Sequence, residues 1–170
     1  MINIADIQPD AELKRCLEGK ITIQTSAADM ATLPVYQQGE RPNTGLADEF
    51  IDININGVIR SRTQPLGLFY GNLAVSIYCK TQNNGVVKRN RVSSIISQLE
   101  KYLKYRRYGR YFFELNPQNI ITPTTINVTA GYSVTVLNVE WRMDENESVG
   151  SELENGDSLF LQDEGRLMLE

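Results

Sequence analysis

Through the middle of this chain, apolar and polar residues alternate with a period of two. Ile51, Ile53 and Ile55 alternate with Asp52, Asn54 and Asn56, and Leu73, Val75, Ile77 and Cys79 alternate with Ala74, Ser76 and Tyr78. Successive side chains of a strand point to opposite faces, so each run predicts an antiparallel strand with one apolar and one wet face. Gly57 predicts a bulge before Val58 and Ile59, and Pro65, Gly67 and Gly71 mark a turn between the two strands. Tyr111-Phe112-Phe113-Glu114-Leu115 opens a further strand. Residues 120–129 are rich in Thr and β-branched side chains, with Pro123 marking an edge or interruption before the Ala130-Gly131 turn. Tyr132, Val134 and Val136 share one parity, and Leu137, Val139 and Trp141 share the other. That phase slip predicts a bulge near residues 136–138.

Elsewhere the period lengthens. After the turn signal Asn83-Asn84-Gly85, the stripe Val92, Ile95, Ile96, Leu99 and Leu103 predicts a long helix over residues 87–106, flanked by Tyr102 and Tyr105 and ended by Gly109. Pro9 suits a first helical position, and Leu13, Cys16 and Leu17 follow on one face, so a short N-terminal helix stopping near Gly19 is expected. Ile21 and Ile23 predict a short strand, and residues 26–48 read as a long loop with a strand within 33–37. The expected fold is α+β: an antiparallel sheet covered on one face by the long helix and the short N-terminal helix. Residues 1–142 would form this domain, and residues 143–170 an extended acidic tail. The expected core is Ile51, Ile53, Ile55, Leu73, Val75, Ile77, Val92, Ile95, Ile96, Leu99 and Leu103.

Composition narrows the chemistry. The chain has 170 residues, 41% hydrophobic and 22% charged, which suits one ordinary domain. Its apolar runs are too short for a membrane-spanning helix of ~20 residues. The first residues carry no Lys or Arg, so no secretory signal is expected. The two cysteines, Cys16 and Cys79, are too few for a disulfide framework and are expected as free thiols in a reducing cytoplasm, with Cys79 a small buried apolar residue. Histidine is absent, which removes the commonest general base and metal ligand. Walker loop, dinucleotide glycine fingerprint and CxxC pair are absent as well. No catalytic residue, metal ligand or cofactor is therefore expected. The sequons Asn127-Val128-Thr129 and Asn146-Glu147-Ser148 are taken as accidental in a chain without a secretory signal.

Charge is unevenly placed. The net charge is −4, yet residues 143–170 hold nine acids and only one base, Arg166. Lys88, Arg89, Arg91, Lys101, Lys104, Arg106, Arg107 and Arg110 fall within 23 residues against one acid, Glu100. In the run Lys104-Tyr105-Arg106-Arg107-Tyr108-Gly109-Arg110-Tyr111, cations interleave with rings. Three readings stand beside one another: a nucleic-acid groove, a surface for an acidic protein, and a solvated helix end whose cations offset the carbonyl dipole. The acidic pI of 5.0 weighs against nucleic acid. Lys104, Arg106, Arg107 and Arg110 are the candidate partner-binding residues.

Residues 46–142 resemble the tail terminator proteins of tailed bacteriophages, also called tail completion or head–tail joining proteins. Glu49-Phe50-Ile51-Asp52-Ile53-Asn54-Ile55 looks like that family's extended strand, and Gly71-Asn72-Leu73-Ala74-Val75-Ser76-Ile77-Tyr78 like its second. Asn83-Asn84-Gly85-Val86-Val87 resembles its turn into the long helix, and Tyr132-Ser133-Val134-Thr135-Val136-Leu137-Asn138-Val139-Glu140-Trp141-Arg142 its closing aromatic strand. The resemblance implies a non-enzymatic virion protein, made in the host cytoplasm, that assembles into a ring, commonly a hexamer. The ring would cap the tail tube and join it to the head through the neck. It implies the tail tube protein and a neck or head-completion protein as partners, with genome DNA passing through the ring, and neither membrane nor sequence-specific nucleic acid. The basic run and the acidic tail are departures from the family pattern. The alternative function is a nucleic-acid-binding α+β module using residues 104–111.

Overall fold

The computed structural model describes residues 6–62, 68–82, 86–104, 106–120 and 131–144. Helix α1 (Pro9–Leu17) starts on its proline, with Asp10 and Glu12 in the first turn and Lys14 and Arg15 in the last, matching charge to the helix dipole. Strands β1 (Thr22–Gln24) and β2 (Met30–Thr32) form a two-stranded sheet. The other strands are β3 (Val35–Gln37), β4 (Glu49–Arg62), β5 (Leu68–Lys80), β6 (Arg106–Tyr108), β7 (Tyr111–Ile120) and β8 (Tyr132–Asp144). They build a six-stranded sheet in the order β3-β4-β5-β8-β7-β6, with α2 (Arg89–Leu103) between β5 and β6 in sequence.

This corrects the expected fold. The protein is mostly β, its sheet is mixed rather than antiparallel, and no long helix covers a face. β3 runs parallel to β4; no local pattern in three residues announces such an edge. At ~1.5 Å per residue, the 15 residues of α2 span ~22 Å, against ~46 Å for the 14 residues of β4. The helix ends at Leu103 rather than near residue 106 because the next residues find a β partner. Arg106, Arg107 and Tyr108 pair with Phe113, Phe112 and Tyr111. Gly109, at φ 56°, is the first residue of that two-residue hairpin turn and not a helix stop. Gly71 likewise lies inside β5 rather than in a turn. A Cβ there would come within 3.0 Å of the Trp141 indole nitrogen, so glycine is what lets the ring lie over the strand.

β8 corrects another expectation. It pairs with β5 in one unbroken register from Lys80↔Tyr132 to Leu68↔Asp144, so β8 itself carries no extra residue near 136–138; its register with β7 does shift opposite Leu137–Val139, but the extra residues lie in β7. The change of parity marks a change in which face is covered. Tyr132 and Val134 bury on one side of the sheet, Leu137, Val139 and Trp141 on the other. The irregularities lie in β4 between Asn56 and Arg60, where Gly57 foretold it, and in β7 between Leu115 and Ile120. Residues 26–48 carry the strand expected within 33–37, as β3, and a further strand, β2, where only loop was expected. The Asn83-Asn84-Gly85 turn, Pro123, Ala130, both sequons and residues 145–170 lie outside the described residues.

The main core lies between one sheet face and the helices. Ile51, Ile53, Leu73, Val75, Ile77, Val92, Ile95, Leu99 and Leu103 are buried, and Ile55 and Ile96 are half-buried against them. Polar clamps tie the small sheet and α2 to the rest. The Gln98 amide accepts from the Thr22 backbone N–H at 3.0 Å and donates to the Thr22 carbonyl at 2.8 Å, and Arg91 donates to the Gln24 carbonyl. Glu49, buried at the start of β4, faces Lys88 at 3.3 Å and Arg91 at 3.6 Å. Cys16 and Cys79 are buried free thiols, each pushed up to about 12 by burial.

Replacing Leu99 by Ala is expected to cost ~2–5 kcal/mol in urea unfolding, since the side chain is wholly buried. A change near zero would place α2 off the sheet. Neither thiol should react with an aromatic disulfide reagent until the protein unfolds, because only the thiolate is nucleophilic. Rapid modification of the native protein would contradict the burial.

Candidate interaction surface

The face of the sheet opposite the helices divides into three zones along the strands. At one end lies a second, smaller core of Phe50, Tyr78, Tyr132 and Val134, with Tyr36, Leu46 and Val136 packed against it. Phe50 and Tyr78 stack at 4.5 Å, and Tyr132 donates its hydroxyl to the Ala47 carbonyl at 2.8 Å. Arg41 sits 5.3 Å from the Tyr78 ring and 3.2 Å from the Asp52 carboxylate. These contacts hold the segment before β4 against the sheet. Burial raises the Asp52 carboxyl above its usual range and outweighs its hydrogen bond with Asn54 and the nearby Arg41 charge, both of which lower it.

The middle zone is polar. Asn56, Asn72, Glu140 and Glu114 align in one cross-strand row, and Asn54, Ala74 and Asn138 in the next. Glu114 and Glu140 stand directly opposite each other, an arrangement that is unfavourable on its own.

At the far end a different row crosses five strands. Arg60 pairs with Tyr70, Tyr70 with Arg142, Arg142 with Phe112, and Phe112 with Arg107. Paired residues of antiparallel strands share a face, so the sequence arginine–tyrosine–arginine–phenylalanine–arginine forms one line. Two guanidinium groups use the same ring: Arg142 lies 4.6 Å and Arg107 5.2 Å from the Phe112 centroid. Each contact of this kind contributes ~0.5–1 kcal/mol at an exposed site. Arg60, Arg107 and Arg142 are exposed, and Tyr70 and Phe112 half-buried. Adjacent strands are ~4.8 Å apart, so the row is ~19 Å long and its arginines recur every ~10 Å with a ring between them.

The candidate residues read from the sequence do not form one patch. Lys104 is exposed at the end of α2. Arg106 and Arg107 are successive residues of edge strand β6 and point to opposite faces, Arg107 into the row. Arg110 is half-buried in the β6–β7 turn and lines a cleft with Glu12, Arg15 and Tyr111. The solvated-helix-end reading no longer applies to Arg106, Arg107 and Arg110, which lie past the helix. Arg60, Tyr70, Phe112 and Arg142 went unnoticed in the sequence, because 82 positions separate Arg60 from Arg142. The available signal was parity: Tyr70 falls out of phase with Leu73, Val75 and Ile77, and Arg142 with Val139 and Trp141.

Among the described residues no group of three or more His, Cys, Asp or Glu side chains could hold a metal ion. No described helix is long and apolar enough to cross a membrane. No protein-family model and no curated protein matches the sequence. Among the solved structures that match, one shares 12% identity over 69% of this chain and 83% of that chain, with a TM-score of 0.47. A likeness at that score does not establish a shared fold.

Asp52 makes stability depend on pH in a defined direction. Its folded pKa lies above the unfolded value, so ionisation opposes folding above the folded pKa, and the penalty disappears below the unfolded one. Compared with Asp52→Asn, the wild type should therefore gain stability as pH falls from neutrality toward ~4. Urea midpoints of both proteins across that range test this. A wild type that loses ground to the variant on acidification would mean that the Arg41 pairing dominates.

Proposed function

We propose that this chain is a structural protein of a tailed bacteriophage virion, forming a ring at the tail–neck junction that terminates the tail tube and joins it to the head. The order of strand and turn motifs across residues 46–142 supports the reading through the resemblance described above. The observation that carries it furthest is the difference between the two edges of the large sheet. One edge is β6, Arg106-Arg107-Tyr108; the other is β3, Val35-Tyr36-Gln37. A closed ring needs two unlike surfaces on every subunit, meeting head to tail. Arg106 and Arg107 lie in the β6 edge itself, on opposite faces, with Lys104 just before it and Arg110 in the turn after it, so acidic groups of a neighbouring subunit or the tail tube could meet that edge from either face. Guanidinium groups fork onto carboxylates with directional hydrogen bonds, which fixes orientation as well as adding attraction. The role is mechanical and calls for no catalytic group or cofactor.

A nucleic-acid-binding module is the second reading, favoured by the half-buried Phe112 ring with the exposed Arg107 and Arg142 against it. One set of variants separates the two. The ring reading expects the purified protein to give a mass of about six subunits and annular particles by negative stain. Exposed charge pairs are worth only ~0–1 kcal/mol each, so a single substitution should do little. The combined Arg106→Glu, Arg107→Glu and Arg110→Glu variant, or high salt, should weaken assembly. A monomer that binds single-stranded DNA, losing that binding but not changing mass in the triple variant, would replace the first reading with the second.

A further inference from the structure

The row Arg60–Tyr70–Arg142–Phe112–Arg107 is more than a stabiliser of its own strands. Two of its five members hold one ring between them, but all three arginines remain exposed, on a face that no described element covers at this end. We propose that this row is the docking site for the acidic segment of the same molecule, residues 152–164. The inference does not depend on the ring reading and can be tested on a subunit of any assembly state.

Three observations select this occupant. The first is where the described chain stops. β8 ends at Asp144, two residues past Arg142, so the remaining chain leaves from the row itself. The seven residues 145–151 can span up to ~24 Å, enough to return across a row ~19 Å long. Such a short tether gives an effective concentration in the ~mM range, which favours the same molecule over another copy.

The second is charge. Glu152, Glu154, Asp157, Asp163 and Glu164 carry five negative charges with no base among residues 145–165. Drawn out as a polyproline II helix, with three residues per turn and ~3.1 Å rise, Glu154 and Asp157 would lie on one side ~9 Å apart, close to the spacing of successive arginines in the row. Leu159, Phe160 and Leu161 interrupt the acidic run with apolar side chains, and the row presents Tyr70 and Phe112 between its cations.

The third is the neighbouring row. Glu114 and Glu140 lie directly opposite one another beside the arginines. A long polyanion crossing the sheet would meet this acidic pair. The stretch 152–157, which carries three of the five carboxylates and drawn out at ~3.1 Å per residue is ~19 Å long, fits within the arginine row and would not.

A nitroxide on Ser158→Cys in the full chain tests the proposal, since Cys16 and Cys79 are buried and will not take the label. Backbone amide signals of Tyr70, Phe112 and Arg142 should lose at least about half their intensity, as expected for a tethered segment bound most of the time. Signals of Val35–Gln37, at the opposite edge, should keep theirs. The loss should disappear at about 0.5 M salt, where the Debye length is only a few ångströms. It should also disappear in the Arg107→Gln, Arg142→Gln variant, whose thermal unfolding, still cooperative and lowered by only a few degrees for the two lost ring contacts, would show that the sheet is intact. A sample mixing labelled, isotope-free chains with unlabelled, isotope-enriched chains separates the sources. Intensity loss in that mixture would assign the segment to a second copy and overturn the proposal. Equal intensity at all sites, or a loss unaffected by the paired arginine substitutions, would overturn it as well.

Discussion

Everything in the large sheet is referred to β5. Its residues from Leu68 to Lys80 pair one for one with β8, and all but Gly71 and Lys80 pair with β4 as well. A slip of one residue in either pairing would turn every side chain to the opposite face. The main core, the small aromatic core and the arginine row would all be lost together. Leu73, Val75 and Ile77 hold the register from one side, wholly buried under the helices. Tyr78 holds it from the other, stacked on Phe50 and set edge-on to Tyr132. The central strand is thus apolar on both faces at one end and on a single face further along, which pins the register twice.

That double burial explains what the sequence concealed. Period-two patterns identify a strand when one face is dry and the other wet. They made Ile51, Ile53 and Ile55 legible, and β5 from Leu73 onward. In β8 the covered face changes along the strand, and the resulting shift of parity imitates a bulge. At Arg106–Tyr108 the misreading ran the other way. Leu103 closes a helical stripe, and the two arginines that follow favour helix by propensity. They lie instead in a three-residue strand, because the Gly109 turn brings β7 alongside and Tyr108 fixes its hydroxyl to the Tyr102 carbonyl at 3.1 Å. Local preference of a few tenths of a kcal/mol yields to tertiary pairing of this kind. The strand expected within 33–37 is present as β3, but its parallel pairing had no local signature, since its place depends on β4 being there first.

The same logic decides how much of the candidate surface could be read in advance. The basic run 104–111 was visible as composition, and its excess of cations is real. Its grouping was not, since successive residues of a strand face opposite ways and Arg106 and Arg107 part company at once. The row that replaces it draws one residue from each of five strands. Pairing alone makes it, and pairing over such separations leaves no short motif.

Arginine and aromatic residues alternate along this row for a physical reason. Three guanidinium groups on neighbouring strands, ~4.8 Å apart, would repel with nothing between them. Spacing them by rings doubles the separation and sets the negative face of Phe112 against two of them. Glu114 and Glu140, one row back, have the opposite problem, since each faces a like charge directly. Arg142 stands two residues from Glu140 on the same face of the same strand, so each row moderates the other's repulsion. The compensation is incomplete at the outer margin, because the cations there outnumber the carboxylates behind them.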